Sequence, residues 1–162
     1  MYNFNAAEVF KIAIEIEENG KKFYEQSLKV ISDAGVKALF QDLASQEIDH
    51  KKRFESMKAQ VPASASGSTV WDPDNELDKY IKAMSEQHVF IKNTNMDALI
   101  AEVKDMKSAL HLAISFEKDS VIFFLSLEDA TEGQAGKEAI RALVKEEQEH
   151  LKRLTLELKR IS

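Results

Sequence analysis

The chain has 162 residues, 28 acidic against 22 basic side chains, a formal net charge of −6 and no cysteine. Without thiols there is no disulfide, no thiolate zinc site, no iron–sulfur cluster and no rubredoxin-type iron. The acidic balance argues against nucleic acid or an anionic lipid surface as partner, and the longest apolar run, Val121-Ile122-Phe123-Phe124-Leu125, falls far short of the roughly 20 residues that span a bilayer.

The N-terminal Met-Tyr-Asn-Phe-Asn lacks the basic and apolar regions of a secretory leader, so a cytoplasmic protein is expected. The length predicts one domain over residues 1–162 with a sizeable core. Five Gly and two Pro leave few turns, which favours long uninterrupted helices.

From residue 6 to residue 31 the apolar residues Phe10, Ala13, Ile14, Tyr24, Leu28 and Ile31 recur at three and four, the helical period. Asn5 with Glu8 reads as a capping box for this first helix, and Asp33-Ala34-Gly35 as its end. A second helix follows to about residue 60, with Phe40, Leu43, Ala44, Phe54 and Met57 on one face. Val61-Pro62 and the small residues 63–69 stop it. Within the long connection, Asp72-Pro73 opens a short helix to about residue 85, and residues 86–95 read as irregular. A third long helix, broken near Asp105, reaches about residue 130. Gly133 and Gly136 punctuate the next turn, and the fourth runs over about 137–160. Short, long and short connections predict an all-α antiparallel four-helix bundle with one crossover.

The sequence repeats itself at an offset of one hundred residues. Ala13, Ile14, Glu17 and Phe23 recur as Ala113, Ile114, Glu117 and Phe123; Lys37, Leu43, Glu47, His50, Lys52 and Arg53 recur as Lys137, Leu143, Glu147, His150, Lys152 and Arg153. Average residue usage would give about two such identities over these segments. One helical hairpin is therefore used twice, and a pseudo-two-fold axis is expected.

The residues that interrupt the apolar stripes carry the chemistry. The first helix reads Phe10, Ala13/Ile14, Glu17, Gly20, Tyr24 along its inner line, and the third reads Leu110, Ala113/Ile114, Glu117, Val121, Phe124. The second and fourth each carry an inward Glu-x-x-His, Glu47/His50 and Glu147/His150. Glu15 and Glu18 belong instead with Lys11 and Lys22 on the wet face. A buried ionised carboxylate costs several kcal/mol unless compensated. A single inward glutamate is more often paired with Lys or Arg, and a single Glu-x-x-His is weak evidence. Four carboxylates and two imidazoles at repeated positions are another matter. Two divalent cations would neutralise four carboxylates, and an oxygen and imidazole donor set suits iron, manganese or zinc. Counting along each hairpin at about 1.5 Å per residue brings all six side chains to one level. A Glu from each of two helices and a Glu-x-x-His from each of the other two is the pattern of carboxylate-bridged dimetal bundles.

Other residues are read more plainly. Tyr24, seven residues after Glu17, is either a hydrogen-bond donor to a ligand carboxylate or a core aromatic. Arg53 and Arg153 are expected to lay their stems over the bundle end with their heads in water, an outer role behind each histidine being the alternative. His111 reads as surface. His88 lies in the crossover and no role is expected for it, while Trp71 and Phe90 should pin that crossover to the bundle.

The segments AIEIEENGKKFYEQ, LASQEIDHKKRF, AISFEKDSVIFF and LVKEEQEHLKRL, covering all four helices, resemble the rubrerythrin family of the ferritin-like superfamily. The resemblance implies a non-haem di-iron centre with two irons per chain, held by Glu17, Glu47, His50, Glu117, Glu147 and His150, with Glu47 and Glu147 bridging. It implies an oxidoreductase in which the dimetal centre itself is catalytic, reducing hydrogen peroxide or dioxygen, and a homodimer or larger assembly. Three departures stand out. The four cysteines of a rubredoxin-like domain are absent, so the chain is expected to be a stand-alone di-iron domain that takes electrons from an external, rubredoxin-like donor. Ser120 stands where the family places a second glutamate three residues after the third-helix ligand, which counts against efficient peroxide turnover. Phe123-Phe124 replaces a tyrosine. The six-ligand set equally resembles the bacterioferritin ferroxidase centre, but no methionine adjoins Glu47 to bind haem, and none is expected. The alternatives to an enzyme are iron storage or detoxification with a ferroxidase step, and a metal-bound scaffold without turnover.

Overall fold

A computed structural model describes residues 6–60, 74, 76–92, 96–131 and 133–162. Among these the chain forms α1 (Ala6–Ser27), α2 (Ala34–Gln60), α3 (Glu76–Gln87), α4 (Val89–Lys92), α5 (Met96–Ala101), α6 (Met106–Asp129) and α7 (Gln134–Arg160), with no strand. The long helices α1 and α2 pack as one hairpin and α6 and α7 as another, while the short helices of the crossover lie against α1 and α6. This is the expected ferritin-like antiparallel bundle with a single crossover. Among the described residues no helix is long and apolar enough to cross a membrane.

Several boundaries differ from the sequence reading. Helix α1 stops at Ser27 rather than near residue 31. Asp33 does not end it; its Oδ1 accepts from the Val36 N–H at 2.9 Å and so caps the start of α2. The stretch 86–95 is not wholly irregular, because α3 runs on to Gln87 and α4 follows at once. Those two helices are held by tertiary contact, with Phe90 buried against Phe116 and Phe23, and a local period does not reveal such packing. The expected break near Asp105 is real: Asp105 caps α6, its side chain accepting from Ser108 N–H while Ser108 Oγ returns the contact. Helix α7 begins at Gln134, earlier than expected, and Gly136 lies inside it. Gly133 supplies the turn with φ 84°, a conformation that costs glycine little. The readings at Asn5, Trp71 and Asp72-Pro73 fall outside the described residues.

The internal repeat survives into three dimensions. Residues 11–20 and 111–120 share the same pattern of burial position by position, and 41–50 matches 141–150 at every position but 48. Aromatic layers close the core above and below its middle. Tyr24, Phe40, Phe23, Phe116 and Phe90 pack at one end of the carboxylate level, and Phe10, Phe54 and Phe124 at the other.

Candidate metal centre

Between the aromatic layers the apolar stripes break as the sequence requires. Glu17 on α1, Glu47 and His50 on α2, Glu117 on α6, and Glu147 and His150 on α7 are all at most 1% exposed. They fall into two overlapping groups, Glu17, Glu47, His50, Glu147 and Glu47, Glu117, Glu147, His150, each with its donor atoms within 4.8 Å of one another. Glu47 and Glu147 belong to both. His50 Nδ1 lies 3.6 Å from Glu17 Oε2, and His150 Nδ1 lies 3.6 Å from Glu117 Oε2. Glu147 faces both imidazoles, with Oε1 2.7 Å from His50 Nδ1 and Oε2 3.1 Å from His150 Nδ1. The two rings stack with centroids 5.4 Å apart.

The polar atoms of this layer are poorly served by the protein itself. Both oxygens of Glu17, both of Glu47, Glu117 Oε2, Glu147 Oε1 and His50 Nδ1 are buried without a hydrogen-bond partner. Unpaired buried acceptors are expensive, about 1–3 kcal/mol each and more when charged. His50 Nδ1 and Glu147 Oε1 are close enough to bond but do not align on one another, the arrangement expected of donors whose lone pairs converge on a third atom. The residues fit a pair of divalent cations.

Electrostatics agree. Burial holds the carboxyls of Glu17 and Glu47 well above the usual range, with the neighbouring glutamates adding to the shift at Glu47. Burial and then Glu147 push Glu117 up to about 8. Burial alone would lower the histidines, but the facing carboxylates raise His50 to about 9 and His150 to about 10. Burial would also raise Glu147, yet the two imidazoles between which it sits hold it below the usual carboxylate range. Without metal the layer is thus a store of protons in place of cations.

Each histidine turns its Nε2 outward to a partner on the opposite hairpin. His50 Nε2 meets Glu146 Oε2 at 3.2 Å, and Arg53 Nη1 donates to Glu146 Oε1 at 2.6 Å. His150 Nε2 donates to Gln46 Oε1 at 2.9 Å; Gln46 Nε2 donates to Asp42, which Arg153 Nη2 holds at 2.6 Å. The arginine heads are therefore engaged behind the histidines, not simply reaching water as expected. Glu146 and Gln46 went unnoticed in the sequence, although each sits one residue before a ligand-type glutamate.

Tyr24 takes the donor role: its hydroxyl donates to Glu117 Oε1. Burial and the Glu117 charge keep that hydroxyl protonated, far above its ordinary range. Gly20 is required by close packing, since a Cβ there would lie 2.5 Å from Phe116 Cζ and 3.4 Å from the Glu47 carboxyl carbon. His111 is exposed as expected. His88 lies in the crossover as expected and is 1% exposed, with Nε2 3.2 Å from Ser120 Oγ and Nδ1 accepting from the Phe90 N–H. Burial lowers its pKa to about 3, so it is a neutral imidazole locking the crossover onto α6.

A four-helix bundle with a buried layer of four glutamates and two histidines in two overlapping groups defines a ferritin-like protein with a candidate dimetal-carboxylate site. The sequence model of the rubrerythrin family matches residues 8–158, and the chain belongs to that family. No curated protein matches it. A crystal structure described as a ferritin-like diiron-carboxylate protein from Thermotoga maritima superimposes with a TM-score of 0.69 at 25% identity, covering 99% of this chain and 97% of that one.

Proposed function

We propose that the protein is a non-haem di-iron oxidoreductase that reduces hydrogen peroxide or dioxygen with electrons from an external, rubredoxin-like donor. The observation that carries this reading is the pair of overlapping groups joined through Glu47 and Glu147. Glu17 and His50 would hold one iron, Glu117 and His150 the other, and Glu47 and Glu147 would bridge them. Bound iron would supply the two-electron chemistry, passing between di-ferrous and di-ferric states. Reducing peroxide to two waters consumes two electrons and two protons. Tyr24 holds a hydroxyl proton beside Glu117, and the aromatic layers keep bulk water from the reacting atoms. A cytoplasmic homodimer fits this role.

The test is stopped-flow oxidation of the anaerobically Fe(II)-loaded protein. Peroxide is expected to oxidise it much faster than air-saturated buffer does; equal rates, or a faster reaction with dioxygen, would reject peroxide as the main oxidant. A ferroxidase reading is favoured by one observation, Ser120 in place of a seventh ligand. It calls for a hollow assembly that retains many irons per chain, and gel filtration of a particle of about two chains would count against it.

A further inference from the structure

The two halves of the centre are built on one repeat but are not chemically alike, and two of the mismatches touch the candidate ligands directly. Position 46 is Gln and position 146 is Glu. Each backs the histidine of the opposite hairpin, so the outward N–H of His50 meets a carboxylate and that of His150 meets a carboxamide. The amide orientation is fixed by its own network, because Gln46 Nε2 donates to Asp42 and leaves Oε1 for His150. An anionic acceptor behind an imidazole raises its basicity as a ligand. Position 24 is Tyr and position 124 is Phe. The Tyr24 hydroxyl takes one lone pair of Glu117, whereas no hydroxyl donates to Glu17 among the described residues. A carboxylate that accepts such a bond has less charge left for a cation.

We infer that the two metal positions are inequivalent: the Glu17–His50 side is the tight, electron-rich position that fills first and keeps its ion, and the Glu117–His150 side is the weaker, exchangeable one. This rests on the dimetal reading above and adds the order of filling and the residues that set it. Glu146 and Tyr24 are positioning residues here, acting through His50 and Glu117.

Cobalt(II) titration of the metal-free protein, followed by the hyperfine-shifted exchangeable imidazole N–H signals in proton NMR, tests it directly. In the native protein one such signal is expected with the first equivalent and a second only with the next, the two steps differing by roughly 10–100-fold in affinity. Glu146→Gln should move the first signal and weaken the first step until the two merge. Tyr24→Phe should tighten the second step, and Gln46→Glu should move the second signal, giving a check should Glu146→Gln fold poorly by circular dichroism. The inference is overturned if both signals grow together in the native protein, or if Glu146→Gln moves the signal that appears second. Failure to bind any cobalt would instead overturn the dimetal reading itself, a separate result.

Discussion

The two hairpins, α1–α2 and α6–α7, are one design executed twice with different surroundings. Both deliver a glutamate and a Glu-x-x-His to the same level with nearly the same pattern of burial. Position 20 is a glycine beneath the Phe116 ring, whereas position 120 is a serine engaged by His88 of the crossover. Lys22 pairs with Asp97 of the crossover at 2.8 Å, whereas its counterpart Ile122 is exposed. What the halves share is the set of atoms that could bind metal; what they do not share is the scaffold that tunes those atoms. Repetition thus fixes the site, and departures from repetition individualise its two sides.

Ways to break the comparison follow from the shared atoms first. Glu47→Ala with Glu147→Ala removes both members common to the two groups, and at least one metal ion per chain should be lost by elemental analysis; a double variant retaining two ions would sink the ligand assignment.

The proton content of the layer makes the next largest effect. In the metal-free protein Glu117, His50 and His150 are raised to about 8, 9 and 10, and Glu17 and Glu47 are also raised. Each group binds its proton more tightly folded than unfolded, so its contribution is present at low pH and lost as pH rises through the folded value. The metal-free protein should therefore melt at progressively lower temperature from pH 6 to pH 10. Metal affinity should climb over the same window, with protons released on binding at pH 7. Glu147, shifted down, acts only in acid, below this window. A melting temperature that rises across the window would contradict the charge arrangement.

Gly20→Ala probes the tighter half. Overpacking against the buried Phe116 ring should cost about 1–3 kcal/mol, against up to about 1 kcal/mol regained in helix propensity, so urea unfolding should show a net loss. A more stable variant would mean that the ring yields freely.

Lys22→Ala removes an exposed tie between α1 and the crossover and should change stability by less than about 1 kcal/mol. A larger loss would show that the pair anchors the crossover.

The bundle and its buried donors were legible because glutamate in a leucine's place is a costly exception that repeats. The four core lines needed only helical periodicity. Asp33-Ala34-Gly35 differs from the reading because an aspartate followed closely by a glycine signals a helix start and a helix end with much the same residues; only the bond from the Val36 N–H to Asp33 decides. Helix α4 and the burial of His88 were invisible because Phe90, Asn19 and Ser120 hold them across the fold, not through local sequence. Glu146 and Gln46 look like ordinary surface polar residues along one helix, and become partners of the histidines only when α2 and α7 face each other.

Counting iron on the protein tests the central claim most directly. Metal-free protein titrated anaerobically with Fe(II) and then desalted should retain about two irons per chain. A well-folded protein that keeps none, or one that accumulates many irons per chain after air is admitted, would contradict a dimetal centre built on Glu47 and Glu147.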